Sequence, residues 1–287
     1  MTRPNRLGYL GSFAYDRGDA ATRRIYTYLQ HGFPVMLDSG AFSVMNSGAR
    51  IDINEHTEWV RTWQQRNDTG TQLLCVALDV IGDPAATVRN YEKQIRDGAV
   101  VVPTIHYPND PKQVDAYADS PSGWINLGGM VRYFSKSHLD NVIAWCAAVI
   151  SRTRKAGVKV HGLGATPPAI HWLIPFDSCD STYWLSGSRF GQHSVFDPTI
   201  RDWRKIKTGS RAAYKYGNLL RDRYGLDPEV LDADTRGEAG RKLSERVAIQ
   251  SHDIFAQTFR DRHDSDLIVH LAGGSPDLIG YQEGKQS

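Results

Sequence analysis

The feature that most constrains this chain is a recurring unit: a short apolar run, a carboxylate, histidine or glycine at its end, then a longer helical pattern. Apolar runs stand at 7–13, 33–37, 73–78, 100–105, 124–127, 158–163 and around 173–176. They are apolar at nearly every position rather than at alternate ones. Such strands are buried on both faces, which means a parallel sheet covered by helices. Between the runs, Asp83-Pro84 opens a helix that reaches Arg96 and stops at Asp97-Gly98. Ser137 with Asp140 resembles a capping box and starts a long helix ending at Lys155-Ala156-Gly157. Thr166-Pro167 opens another short one.

Repeated units of this kind in 287 residues predict an α/β fold, specifically a (β/α)8 TIM barrel, over an open doubly wound sheet. No GxGxxG follows the first run, which argues against a dinucleotide site. Beyond residue 200 the pattern turns to charged helices with breaks at 230–234 and 236–240, and a last apolar run at 267–271 predicts a late strand. The expected organisation is a barrel core over 1–200 and, over 201–287, a basic helical segment that binds nucleic acid and returns to close the barrel.

Hydrophobic residues make up 40% and charged ones 23%, the balance of a globular enzyme rather than a disordered chain. No apolar run approaches the ~20 residues of a membrane span, and the first residues lack an apolar signal core. The expectation is a cytoplasmic protein with no membrane partner. Cys75, Cys146 and Cys179 are odd in number and far apart, so neither a disulfide framework nor a CxxC zinc pair is expected. The net charge is only +2, but Arg201, Arg204, Lys205, Lys207, Arg211, Lys215, Arg221 and Arg223 face only Asp202 and Asp222 within 201–223. That is a candidate phosphate-binding stripe. A solvated helix face reads the same way.

In a barrel the chemistry sits at the C-terminal ends of the strands. The successive runs deliver Asp38-Ser39-Gly40, Asp79, His106, Gly128-Gly129-Met130, Gly164, and then Asp177 and Asp180. A single Asp after a strand is commonly an N-cap. Several in successive units repel one another in a shared cleft unless the charge is used. Carboxylates converging without a metal-ligand cluster point to acid/base and nucleophilic work at a sugar carbon.

These residues also carry a resemblance. "DSGAFSVM" resembles the DSGGFQV motif of the tRNA-guanine transglycosylase superfamily. "LGGMV" is similar to that family's LGGLAVG, "VHGLGATPP" to its H-x-L-G-x-G-T-P, and "CDSTYW…SRFG" falls at its nucleophile segment. The motifs run in order over roughly residues 33–191. The resemblance implies exchange of guanine for a 7-deazaguanine by double displacement through a covalent aspartyl-glycosyl intermediate. It implies Asp180 as nucleophile and Asp38 as acid/base group, with Asp177 the less favoured alternative. Asp79, Ser39, His106 and the backbone of Gly129 and Met130 would form the base pocket. His106 stands where the family commonly has Gln. Phe13 and Tyr15 are candidates for stacking on the base, with core packing the alternative.

The chain departs from the tRNA enzymes in lacking their C-x-C-x2-C zinc motif, so no metal or other cofactor is expected. His252, His263 and His270 lack the thiolates or tight spacing of a zinc site. A compact, zinc-free member looks like the phage and bacterial DNA-modifying branch, the deazapurine DNA modification protein A type. That implies DNA and a free 7-deazaguanine such as preQ0 as partners. Phosphate contacts would come from Arg201, Arg204, Lys205, Lys207, Arg211 and Lys215, with Arg241, Lys242 and Arg246 adding to them. A duplex target would need its guanine flipped from the stack, with Tyr183, Trp184, Phe190 or Trp203 as candidates to fill the gap. Alternatives left open are a zinc-free tRNA enzyme, a retaining carbohydrate glycosidase, and a non-catalytic nucleic-acid-binding subunit. The tRNA enzymes often form homodimers, and no surface pattern in this sequence settles the oligomeric state.

Overall fold

Eight strands pair in parallel to form one curled sheet in the order β3-β2-β1-β10-β7-β6-β5-β4. The protein is seen in a computed structural model that describes residues 5–42, 50–135, 137–185, 191–233 and 237–285. The strands are β1 (Leu7–Ser12), β2 (Val35–Asp38), β3 (Leu73–Cys75), β4 (Thr104–His106), β5 (Trp124–Gly128), β6 (Lys159–Gly162), β7 (Ser178–Ser181) and β10 (Ile268–Ala272). Among the described residues, the two edges of the sheet meet at one parallel bridge, Val76 with Val102, where Val102 N–H donates to Cys75 O at 2.7 Å. The fold is therefore α/β, with a curled all-parallel sheet in place of a ladder continuous around a closed barrel.

Helices flank the sheet: α1 (Asp19–Gln30), α2 (Ile53–Arg66), α3 (Pro84–Arg96), α4 (Leu139–Lys155) and α5 (Pro168–Leu173). A small cluster of Leu10, Met36, Leu74, Val76, Val102, Trp124 and Ala272 is separate from the larger core formed with the helices. The α3 boundaries follow from the sequence signals, with Asp83 accepting from Ala86 N–H at its start. The expected capping box does not form at α4. His138 is the N-cap there, and the Ser137 hydroxyl lies 2.9 Å from His138 Nδ1 instead.

The run around 173–176 is not a strand. Leu173 ends α5 and the ladder begins only at Ser178. Pro175 has no N–H to give to a central strand, and Phe176 is buried against the His171 ring. Past β7, β8 (Gln192–Asp197) and β9 (Asp202–Lys207) pair antiparallel. The start of the basic stretch is thus a strand rather than a helix, followed by a 3-10 stretch at Ala212–Tyr216 and a wide turn at Leu220–Tyr224. The division expected at 200/201 falls in the turn of this hairpin, between two paired strands.

The expected break at 230–234 overlaps the short α6 (Pro228–Asp232). The long α7 (Glu238–His263) then spans 26 residues and packs the hairpin against the sheet through Phe255, which stacks on Trp203. The late strand is β10, inserted between β7 and β1 and followed by α8 (Leu278–Glu283). Part of the "FSVMNSG" stretch (43–49), the "GSRF" stretch (187–190) and the break at 236 lie outside the described residues.

Candidate active site

Asp38 ends β2 in register with Ser12 at the end of β1. The chain must turn at once. Gly40 takes φ 79°, and a Cβ there would lie 2.8 Å from the Ala14 Cβ. Glycine is required both for the left-handed backbone and for the close approach. Gly40 N–H donates to Asp38 Oδ2 at 2.9 Å. Ser39 is fully buried and its hydroxyl donates to Asp79 Oδ1 at 2.8 Å, while His106 Nε2 lies 2.8 Å from Asp79 Oδ2. Burial, then Asp79 and Asp180, push the Asp38 carboxyl up to about 7, against the opposing pull of the Gly40 and Ser39 N–H groups.

Asp79 lies past the end of β3, where ladder bonds no longer serve the backbone. Side chains of α3 serve it instead. Gln94 Oε1 accepts from Leu78 N–H at 2.8 Å, and Asn90 Nδ2 donates to Leu78 O at 3.0 Å. Thr87 Oγ1 accepts from Val80 N–H at 2.9 Å. Gln94 Nε2 reaches the buried His56 Nδ1 at 2.9 Å, an imidazole that burial holds down to about 4. Thr87, Asn90 and Gln94 thus fix the residues on both sides of Asp79. Sequence reading missed them, although their i, i+3, i+7 spacing on a helix just after an Asp-ended run is a usable signal.

Asp180 stands within β7, and its Oδ1 accepts from Gly164 N–H at 2.7 Å with His161 Nε2 at 3.3 Å. Asp177 precedes β7 and accepts from Val160 N–H at 2.8 Å. It borders a cavity of about 300 Å³ shared with Pro34, Trp124, Lys159 and Ile268, residues at the N-terminal ends of their strands. Asp180 acts on Asp38 and Asp177 sits at the opposite rim.

Gly129 adopts φ 74° with its Cα against the Tyr107 carbonyl, where a Cβ would lie at 3.0 Å. Met130 turns its side chain into the core, 3.4 Å from Cys146 Sγ, so only its backbone can border the site. Phe13 is buried against His56 and Trp59, whereas Tyr15 is 74% exposed. Phe42, just after the Ser39-Gly40-Ala41 turn and 62% exposed, is an aromatic that sequence reading passed over.

The basic residues of 201–223 meet different partners. Arg201 and Arg262 lie over the Trp172 ring at 3.7 and 3.9 Å. Arg204 pairs with Asp197 at 3.3 Å, and Arg211 lies over Tyr214. Lys205, Lys207 and Lys215 are exposed. Lys205 lies 6.0 Å from the ring of Tyr183, three residues past Asp180. Trp184 is buried with its indole N–H on Ala272 O, and Trp203 packs between Tyr183 and Phe255, so neither is free to enter a nucleic-acid stack.

All three cysteines are free and buried. Among the described residues no group of three or more His, Cys, Asp or Glu is placed to hold a metal ion. His252 bonds Ser181, and His263 bonds the His171 carbonyl. No helix among the described residues is long and apolar enough to cross a membrane.

No family model matches the chain, and no curated protein matches it. One solved structure, a Bifidobacterium longum protein designated a prolidase, aligns over 98% of this chain at 11% identity with a TM-score of 0.35. The chain spans 62% of that protein's length. A likeness this weak carries no argument about fold or function.

Proposed function

We propose that the protein is a DNA guanine transglycosylase that exchanges a target guanine for a 7-deazaguanine, working on a (β/α)8 barrel at the C-terminal ends of its strands. The observation that carries this reading is a pair of carboxylates at one end of the sheet, each with its own hydrogen-bond partners. Asp38 is held near 7 beside a pre-bonded Asp79, and Asp180 faces them with one oxygen secured. Retaining glycoside chemistry needs such a pair, one group as nucleophile and one that gives and takes a proton near neutral pH.

In this mechanism Asp180 Oδ2 attacks the deoxyribose C1′. The C1′–N9 bond breaks, its electron pair goes to the departing guanine, and Asp38 delivers a proton to that base. The incoming 7-deazaguanine loses its N9 proton to Asp38 and attacks C1′, and the Asp180–C1′ bond breaks. Asp79 accepts from the guanine N1–H and 2-amino donors while Ser39 and His106 hold it in place. The protein acts in the cytoplasm without a resident metal in this reading, and the basic residues of the hairpin contact the phosphates.

The test is incorporation of labelled guanine into duplex DNA, single-stranded DNA and tRNA in parallel, with a denaturing gel for the covalent adduct. Label and adduct in DNA alone, both lost in Asp180→Asn while DNA binding persists, support the proposal. Label in tRNA moves the protein to the tRNA reading. DNA binding without label in any substrate gives a non-catalytic subunit.

A further inference from the structure

We infer that His161 and Ser178 are positioning residues that decide which oxygen of Asp180 attacks, an inference that rests on Asp180 being the nucleophile. His161 is completely buried within β6, directly in register with Ser178 on β7. Its Nδ1 lies 2.7 Å from Ser178 Oγ and its Nε2 lies 3.3 Å from Asp180 Oδ1. A carboxylate offers only acceptor lone pairs, so Nε2 carries a hydrogen toward Oδ1, and in the neutral ring Nδ1 accepts from the Ser178 hydroxyl. Ser178 thereby holds the ring from its other side. The Gly164 N–H donates to the same Oδ1 at 2.7 Å. Two donors on Oδ1 stop the carboxylate from rotating, and among the described residues Oδ2 meets no donor and is left to attack.

His161 touches neither the sugar nor the base in this arrangement; it acts only through Asp180. Its other ring neighbour is His270, with centroids 5.6 Å apart, a group that burial and His161 hold down to about 3. A role in placing an atom, rather than in moving a proton, makes a specific demand: an amide that donates from the same place should serve.

The experiment compares the full chain with His161→Ala, His161→Gln and Ser178→Ala, using labelled guanine, duplex DNA and rapid quench for the covalent adduct. Melting curves confirm folding. Misplacing a nucleophile by about 1 Å costs on the order of 10²-fold. His161→Ala should lose about that much in adduct formation with little change in KM for DNA, and Ser178→Ala should lose less. His161→Gln, whose amide N–H reaches Oδ1, should recover most of the rate with the wild-type pH profile. Ser178→Ala and His161→Gln carry the test if the alanine at 161 does not fold. Wild-type adduct rates in Ser178→Ala or His161→Ala overturn the inference and leave the transglycosylase reading standing. So does a glutamine variant that is inactive, or one that has lost a limb of the pH profile. A wild-type chain that exchanges no base in any nucleic acid overturns the reading and the inference together.

Discussion

Ionising Asp38 puts a negative charge beside Asp79 and Asp180 at a half-buried position. Its carboxyl is raised to about 7, so the folded chain holds this proton more tightly than the unfolded chain, whose Asp titrates near 3.8. Stability linked to this group is therefore greatest below the unfolded value and is lost as pH rises toward 7. Asp38→Asn should be more stable than wild type at pH 8 by on the order of 2 kcal/mol, a gap that closes toward pH 4 in urea titrations. If Asp38 gives its proton to the departing base, kcat/KM for the nucleic acid should fall about tenfold per pH unit above 7, and a flat profile from pH 6 to 9 would remove it from that role. Gly40→Ala should cost about 1–3 kcal/mol by thermal melting and lower activity, because the left-handed turn and the close Ala14 side chain both resist a Cβ. Asp38, Asp79 and His106 were legible as candidates because each follows an apolar run, whereas Asp180 was reached through the resemblance of its segment, the run before it being no strand. His161 was not legible, because it lies inside an apolar run, where a polar residue looks like a core tolerance until its partner on the next strand is known.

Helix α3 shows how an element acts at a distance from the site it serves. Its Thr87, Asn90 and Gln94 hold the backbone of residues 78 and 80 on either side of Asp79 where the ladder has ended. Gln94→Leu leaves the Leu78 N–H and the buried His56 without their partner, which should cost about 1–3 kcal/mol in chemical denaturation. It should also raise KM for the free base more than it lowers kcat, since Asp79 is read as a base-binding group; an unchanged KM would separate the clamp from the pocket. The helix itself was legible from Asp83-Pro84 and Asp97-Gly98, since caps are local chemistry. The β8–β9 hairpin was not. Lys205 and Lys207 alternate with the buried Ile206, but dense charge conceals a period of two, and the pairing that makes the strand comes from the preceding run Gln192–Asp197, which sequence reading did not take as a strand. Pro175 offered the opposite lesson, a residue whose missing N–H should have ruled out a strand around 173–176 from the start.

Across the whole molecule, the sheet brings the ends of β2, β4 and β7 together although their chain positions span more than a hundred residues, and β10 between β7 and β1 is what completes the curl. The basic stretch meets different partners in the same architecture: Arg201 is turned to Trp172, Arg204 is tied to Asp197, and Lys205 is left over Tyr183, just past β7. If nucleic acid enters along the hairpin, these positions should not contribute equally. Removing a cation that neutralises one phosphate lowers the slope of log affinity against log salt by about 1. Lys205→Ala should therefore reduce both DNA affinity and that slope, with Arg204→Ala changing it less because its charge already faces Asp197. Lys93→Ala, on α3 and paired with Asp97, serves as the control that should leave the slope unchanged. Binding isotherms from low to moderate salt measure all three. Equal effects from Lys205 and Lys93 would mean a diffuse field rather than a built track, and would move the nucleic-acid face away from the hairpin.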